Sequence, residues 1–124
     1  MSTYALVVES SENTRKNILS ILDQFGIANV VEASDAQGGI NQFKQGQFDL
    51  VLADWNLPKG EGAKLVREIR QANKEVPIVV TTTKAEPKDM QQATQAGANG
   101  YIVKPFTDYQ LREALDKYMT AATR

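Results

Sequence analysis

Five short apolar runs, separated by segments of helical periodicity, constrain this chain more than any other feature. They are Ala5-Leu6-Val7-Val8, Asn29-Val30-Val31, Leu50-Val51-Leu52-Ala53, Ile78-Val79-Val80 and Tyr101-Ile102-Val103. Three are near-continuous and β-branched rather than alternating, the pattern of strands buried on both faces of a parallel sheet. Between and after them lie the helical stripes Ile18, Ile21, Leu22 and Phe25; Ala36, Ile40 and Phe43; Leu65, Val66 and Ile69; Met90, Ala93 and Ala96; and Leu111, Ala114, Leu115 and Tyr118. Gly26, Gly46 and Gly97 follow three of these stripes as stop signals, since helix ends commonly need a left-handed residue. Strand then helix, five times over, predicts an α/β fold with right-handed crossovers and a sheet covered on both faces.

At 124 residues the chain fits one domain, and 42% hydrophobic residues suffice for a core without staples. No linker or charge block divides it, so one domain over 1–124 with no output domain is expected. Cysteine and histidine are both absent. That excludes disulfides, thiolate or imidazole metal sites, Ser-His-Asp machinery and a histidine phosphodonor of its own. A net charge of −1 with mixed signs gives no basic patch for nucleic acid. No apolar run approaches the ~20 residues of a membrane helix, and the first residues lack signal-peptide character. A cytoplasmic protein, without nucleic-acid or membrane partners, is the expectation.

In such sheets ligands bind beyond the carboxyl ends of the strands, at the switch point in strand order. The residues just after the apolar runs are Glu9-Ser10-Ser11-Glu12, Ser34-Asp35, Asp54-Trp55-Asn56, Thr81-Thr82-Thr83-Lys84 and Lys104-Pro105. Asp54 is a carboxylate on a rigid base, able either to attack phosphorus and form an acyl phosphate or merely to cap the next turn. Lys104 is a point charge able to balance a carboxylate or phosphate oxygen, or an ordinary exposed lysine. Thr82 offers a hydroxyl to a phosphoryl oxygen or to nearby backbone, with Thr81 and Thr83 as rivals. Ser10 or Ser11 can cap the first helix, and Glu12 suits its positive end.

Across nearly its full length the chain resembles the receiver domains of two-component response regulators, most closely the single-domain chemotaxis-regulator type. The segments that carry the likeness are Leu6-Val7-Val8-Glu9, Asp54-Trp55-Asn56-Leu57-Pro58 with Gly62, Pro77-Ile78-Val79-Val80-Thr81-Thr82, Ala96-Gly97-Ala98-Asn99-Gly100-Tyr101 and Lys104-Pro105-Phe106. The resemblance implies a doubly wound (βα)5 flavodoxin-like sheet in strand order 2-1-3-4-5. It implies Asp54 as phosphoacceptor, Thr82 and Lys104 as the groups that engage the phosphoryl, and Tyr101 as an aromatic switch. It implies Mg²⁺ held by Glu9, Asp54 and the backbone carbonyl of Asn56, and a cis Lys104-Pro105 bond. Its partners would be a histidine kinase or phosphotransfer protein and a downstream target at the face of the fourth helix, fifth strand and fifth helix. Lys88, Gln91, Gln92, Gln95, Arg112 and Lys117 fall on or near that face.

One position departs from the family pattern. Two adjacent acids are expected after the first strand, and here Glu9 is followed by Ser10. Mg²⁺ is held by oxygens, with one or two carboxylates and water, so losing a direct ligand and a unit of charge should weaken it. A phosphorylation-independent interaction module is therefore the alternative to a phosphoacceptor switch. An aspartate-dependent phosphatase would want an acid two residues after the nucleophile, where Asn56 stands. A glycine-rich nucleotide loop is absent after the first strand, and Ser10-Ser11 is a thin phosphate loop for a flavin carrier.

Overall fold

The computed structural model describes residues 3–84 and 86–123, with side chains as far as 119. The elements follow in strict alternation. They are β1 (Tyr4–Val8), α1 (Glu12–Gln24), β2 (Asn29–Ala33), α2 (Ala36–Gln45), β3 (Leu50–Asp54), a 3-10 turn (Pro58–Gly60), α3 (Glu61–Ala72), β4 (Ile78–Thr82), α4 (Pro87–Ala96), β5 (Gly100–Val103) and α5 (Asp108–Thr123). All strand pairs are parallel, in the order β2-β1-β3-β4-β5. The five-fold strand–helix alternation and the flavodoxin-like order expected from the sequence are both present.

Side chains alternate across a strand, so each strand feeds two cores. Leu6, Val8, Val51, Ala53, Ile78 and Val80 pack under α2, α3 and α4 through Ile40, Phe43, Leu65, Val66, Ile69 and Ala93. Ala5, Val7, Leu50, Leu52, Val79 and Ile102 pack under α1 and α5 through Ile18, Ile21, Leu22, Leu111 and Leu115. Every residue of β3 and β4 is buried, which explains why those two runs read as continuous rather than alternating.

Two expectations need correction. Phe25, assigned to the buried stripe of the first helix, is the C-cap residue of α1 and 37% exposed. The helix ends before a further turn can carry the ring back under the sheet. Of the three stop glycines, Gly26 and Gly97 take positive φ, whereas Gly46 closes α2 in extended backbone. There the chain enters the short connection to β3 without a left-handed residue.

The helices start on identifiable caps. Ser11 accepts from the Thr14 amide, and Asp35 accepts from the Gly38 amide at 2.6 Å. Glu12 pairs with Lys16 one turn on, so it serves its own helix. Below the sheet, Arg70 of α3 donates to the carbonyls of Gly97 and Asn73 and to Asn99 Oδ1, tying α3 to the connection between α4 and β5. Burial lowers the pKa of its guanidinium. Among the described residues no helix is long and apolar enough to cross a membrane.

Candidate functional site

The pleat carries three chemical groups to one place. Glu9 continues the series Ala5, Val7; Asp54 continues Leu50, Leu52; Lys104 continues Ile102. Each steps one position beyond the α1/α5 core, at the carboxyl edge of the sheet. Strands β1 and β3 are neighbours, with Val8 opposite Ala53, so the two carboxylates meet directly. Lys104 starts from β5, two strands from β3, each step about 4.8 Å. Its four-carbon stem crosses that gap, and Nζ lies 3.0 Å from Asp54 Oδ1 and 3.2 Å from Glu9 Oε1. The Lys104-Pro105 peptide is cis.

Each carboxylate oxygen is engaged. Asp54 Oδ1 also accepts the Asn56 amide at 2.9 Å. Asp54 Oδ2 accepts the Ser10 hydroxyl at 3.1 Å and lies 3.5 Å from the Ser10 amide. Glu9 Oε2 accepts the Ser11 amide at 3.0 Å. Two carboxylates against one ammonium leave the cluster a formal charge of −1. Among the described residues no third acid joins Glu9 and Asp54. Both carboxylates are almost wholly buried.

Burial pushes the Glu9 carboxyl up. The Ser11 amide opposes this, the Asp54 charge adds to it, and Lys104 only partly offsets it. Burial pushes Asp54 the same way. There the hydrogen bond and charge of Lys104, with the Asn56 amide, more than reverse it, so Asp54 lies below its ordinary value. Asp54 is thus the carboxylate that stays ionised, and Glu9 is the one that takes a proton first.

The signs follow. A raised carboxyl pKa means the folded state holds a proton that the unfolded chain has released. Glu9 therefore costs stability as pH rises from about 4.5, the ordinary value of a glutamate, through its folded pKa. Asp54 contributes stability above 3.8 that is lost as pH falls through its lowered folded pKa. Glu9→Gln should accordingly be more stable than wild type at pH 7 and lose part of the downward slope above pH 4.5. Urea unfolding between pH 4 and 8 checks this; a less stable variant at pH 7 would contradict the assignment.

The other expected site residues are placed as follows. Thr82 ends β4 in step with Ile78 and Val80, on the α2–α4 side; its hydroxyl donates to the Lys84 carbonyl at 3.0 Å and accepts the Lys84 amide at 3.1 Å. Thr81, in step with the α1/α5 core, stands opposite Asp54 in the register. Asn56 places its amide on Asp54 and its side-chain oxygen 2.7 Å from the Thr83 amide. Tyr101 lies on the β5 edge, 47% exposed. Two contacts escaped the sequence reading: the Ser10 hydroxyl on Asp54, and Arg15 Nη1, which donates to the Glu9 carbonyl at 2.8 Å while Arg15 Nε pairs with Glu32. Periodicity carries no signal for either, since both cross between elements.

The response regulator receiver domain model matches residues 5–116. The chain belongs to that family. It is 39% identical over 114 residues to the chemotaxis protein CheY-3 of Vibrio cholerae, covering 90% of this chain and 88% of that one. The solved structure of Vibrio cholerae CheY4 superposes with a TM-score of 0.89 at 28% identity, over 95% of this chain and 99% of that one. The receiver domain of a Pseudomonas aeruginosa sensor histidine kinase, solved with a magnesium ion coordinated in its active-site cleft, superposes at 0.86 and 28% identity over 97% and 99%. Receiver domains are two-component signalling modules rather than classical enzymes. They generally bind Mg²⁺ and interact with histidine kinases and downstream targets.

Proposed function

We propose that this receiver accepts a phosphoryl group on Asp54 from a partner histidine kinase or phosphotransfer protein in the cytoplasm. The supporting observation is the convergence of Asp54, Glu9 and Lys104, with an ionised Asp54 inside 3.0 Å of an ammonium. Oδ1 is tied by Lys104 and the Asn56 amide, so Oδ2, held only by Ser10, is the freer nucleophile. It attacks the donor phosphorus; the new O–P bond forms as the bond to the leaving imidazole breaks, and that nitrogen keeps the electron pair. Phosphoryl transfer asks the protein mainly for alignment and charge neutralisation. Lys104 supplies one cation on the spot. Thr82 can engage the transferred group once its hydroxyl leaves the Lys84 backbone. The exposed edge at Tyr101, with Lys117 on α5 and Lys88 and Gln91 on α4, is the face presented to a downstream target; Gln92 and Gln95 stand instead toward α3 beside Ala63 and Arg67, and Arg112 bonds to Gln24 of α1.

Glu9, Asp54 and the Asn56 carbonyl are the oxygens that would hold Mg²⁺. When bound, it neutralises phosphoryl oxygens. The donor set fits, but weakly: both carboxylates already face Lys104, and Ser10 brings a neutral hydroxyl where the family pattern has an acid. Ser10→Asp should restore a ligand and a charge and tighten Mg²⁺ at least about tenfold, given the size of a single charge–charge interaction near a protein surface. Trp55, next to Asp54, provides the fluorescence readout; unchanged affinity would refute the charge argument.

The decisive assay is a small-molecule phosphodonor with and without Mg²⁺, followed by mapping of the acyl phosphate. The expected result is a slow, Mg²⁺-stimulated phosphoryl on Asp54. No incorporation at high millimolar Mg²⁺ would instead favour an interaction module that works without phosphate, the reading motivated by Ser10.

A further inference from the structure

Asn56 bonds to both sides of the crevice. Its amide donates to Asp54 Oδ1 at 2.9 Å, on the β3 side. Its side-chain oxygen accepts the Thr83 amide at 2.7 Å, on the β4 side, 27 positions away in sequence. The loop after β4 is thus held twice: by Thr82, whose hydroxyl closes on the Lys84 backbone, and by Asn56 from across the site. Thr83 and Asn56 are both exposed, so the contact is at the solvent side of the crevice, above the buried Asp54.

We propose that Asn56 is a latch: its carboxamide oxygen occupies the Thr83 amide in the resting state and competes with a phosphoryl group for that donor. The inference rests on the phosphoacceptor reading of Asp54. A phosphoryl group on Oδ2 brings new anionic oxygens to the mouth of the crevice. The donors already on Asp54 are Lys104 Nζ, the Asn56 amide and the Ser10 hydroxyl and amide; the β4 loop beside it adds the Thr82 hydroxyl and the Thr83 amide. Of these, the Thr82 hydroxyl and the Thr83 amide are engaged with neutral partners of the protein itself. An anionic oxygen is a stronger acceptor than a carboxamide. Occupancy of Asp54 therefore pulls the Thr83 amide inward and releases the Asn56 side chain from the β4 loop. The latch sets the balance between resting and occupied loop positions without touching the phosphoryl itself, which makes Asn56, through its side chain, a positioning residue. Its backbone amide and carbonyl remain whatever side chain the position carries.

The consequence is a gain on truncation. Asn56→Ala removes the competitor while leaving the backbone amide on Asp54. Removing a solvent-facing hydrogen bond that must break on occupancy should tighten binding of beryllofluoride, the phosphoryl mimic, about threefold. A merely structural role predicts the opposite, since loosening the loops would weaken binding.

The test uses the full chain, with Trp55 fluorescence to titrate beryllofluoride at fixed Mg²⁺ and amide hydrogen exchange without ligand. Asn56→Ala is expected to bind more tightly than wild type. Its Thr83 amide should exchange about fivefold faster, while amides inside β4 such as Val80 are unchanged. Saturable binding by both proteins with equal or weaker affinity in Asn56→Ala would overturn the latch and leave the phosphoacceptor reading standing. Binding by neither would overturn both. Unchanged exchange at Thr83 would overturn the latch by itself, whatever the titration gives.

Discussion

Lys104→Met should lose about 3 kcal/mol of stability at pH 7 and accept phosphate at least about 100-fold more slowly. The substitution keeps most of the stem that crosses β4 and removes only the charge. Two buried carboxylates then face each other with no cation between them, and breaking a buried pair on one side is far costlier than the pair was worth. Part of the cost is relieved because one carboxyl takes up a proton, which makes the loss pH-dependent. Without the ammonium both carboxyls titrate above their unfolded values, so stability is recovered on acidification and falls again as pH rises. Combining Lys104→Met with Glu9→Gln should recover much of the loss at pH 7. Urea unfolding at pH 5 and 7 of the single and double variants separates these contributions. Equal stability of Lys104→Met and wild type at pH 7 would mean the carboxylates were never uncompensated. The rate effect follows from electrostatics of the same group: an oriented donor removed from a developing anionic centre typically costs two to three orders of magnitude.

Gly62→Ala should cost about 2 kcal/mol, although alanine is the better helix former. Gly62 lies near the start of α3, where exchange for alanine would ordinarily gain up to about 1 kcal/mol. Here a Cβ would sit 2.5 Å from the Trp55 carbonyl oxygen and 2.8 Å from that of Asp54. Those atoms are backbone at the end of β3 and cannot swing away as a side chain would. Either α3 moves off the sheet or the segment carrying Asp54 moves, and overpacking of this kind costs about 1–3 kcal/mol. The same displacement misplaces Asp54 against Lys104, so phosphoryl acceptance should fall with stability. Thermal unfolding with the phosphodonor assay on one preparation tests both; a variant as stable as wild type would show that the α3 contact yields without cost.

The fold was readable because its cause is periodic. Continuous apolar runs such as Leu50–Ala53 and Ile78–Val80, followed by amphipathic stripes ending near glycine, admit few arrangements other than a doubly wound parallel sheet. Glu9, Asp54 and Lys104 were readable as candidates for the same reason: each follows a strand, and strand ends gather at one edge. The family likeness sharpened their roles, but the positions themselves follow from alternation. Phe25 shows the limit of that reasoning. It keeps the spacing of the α1 stripe yet lies at its last turn, where the helix stops and the ring is left partly in water.

Sequence by itself determined the order of elements, the two-sided burial of the central strands and which side chains stand at the carboxyl edge. Tertiary structure alone decided which oxygen of Asp54 meets Lys104 and which meets Ser10, that Glu9 rather than Asp54 carries the raised pKa, and that Asn56 reaches the Thr83 amide. These contacts join residues from different strands and loops. Their partners are chosen by sheet order, strand register and loop closure, and a one-dimensional pattern records spacing along the chain but not distance across it.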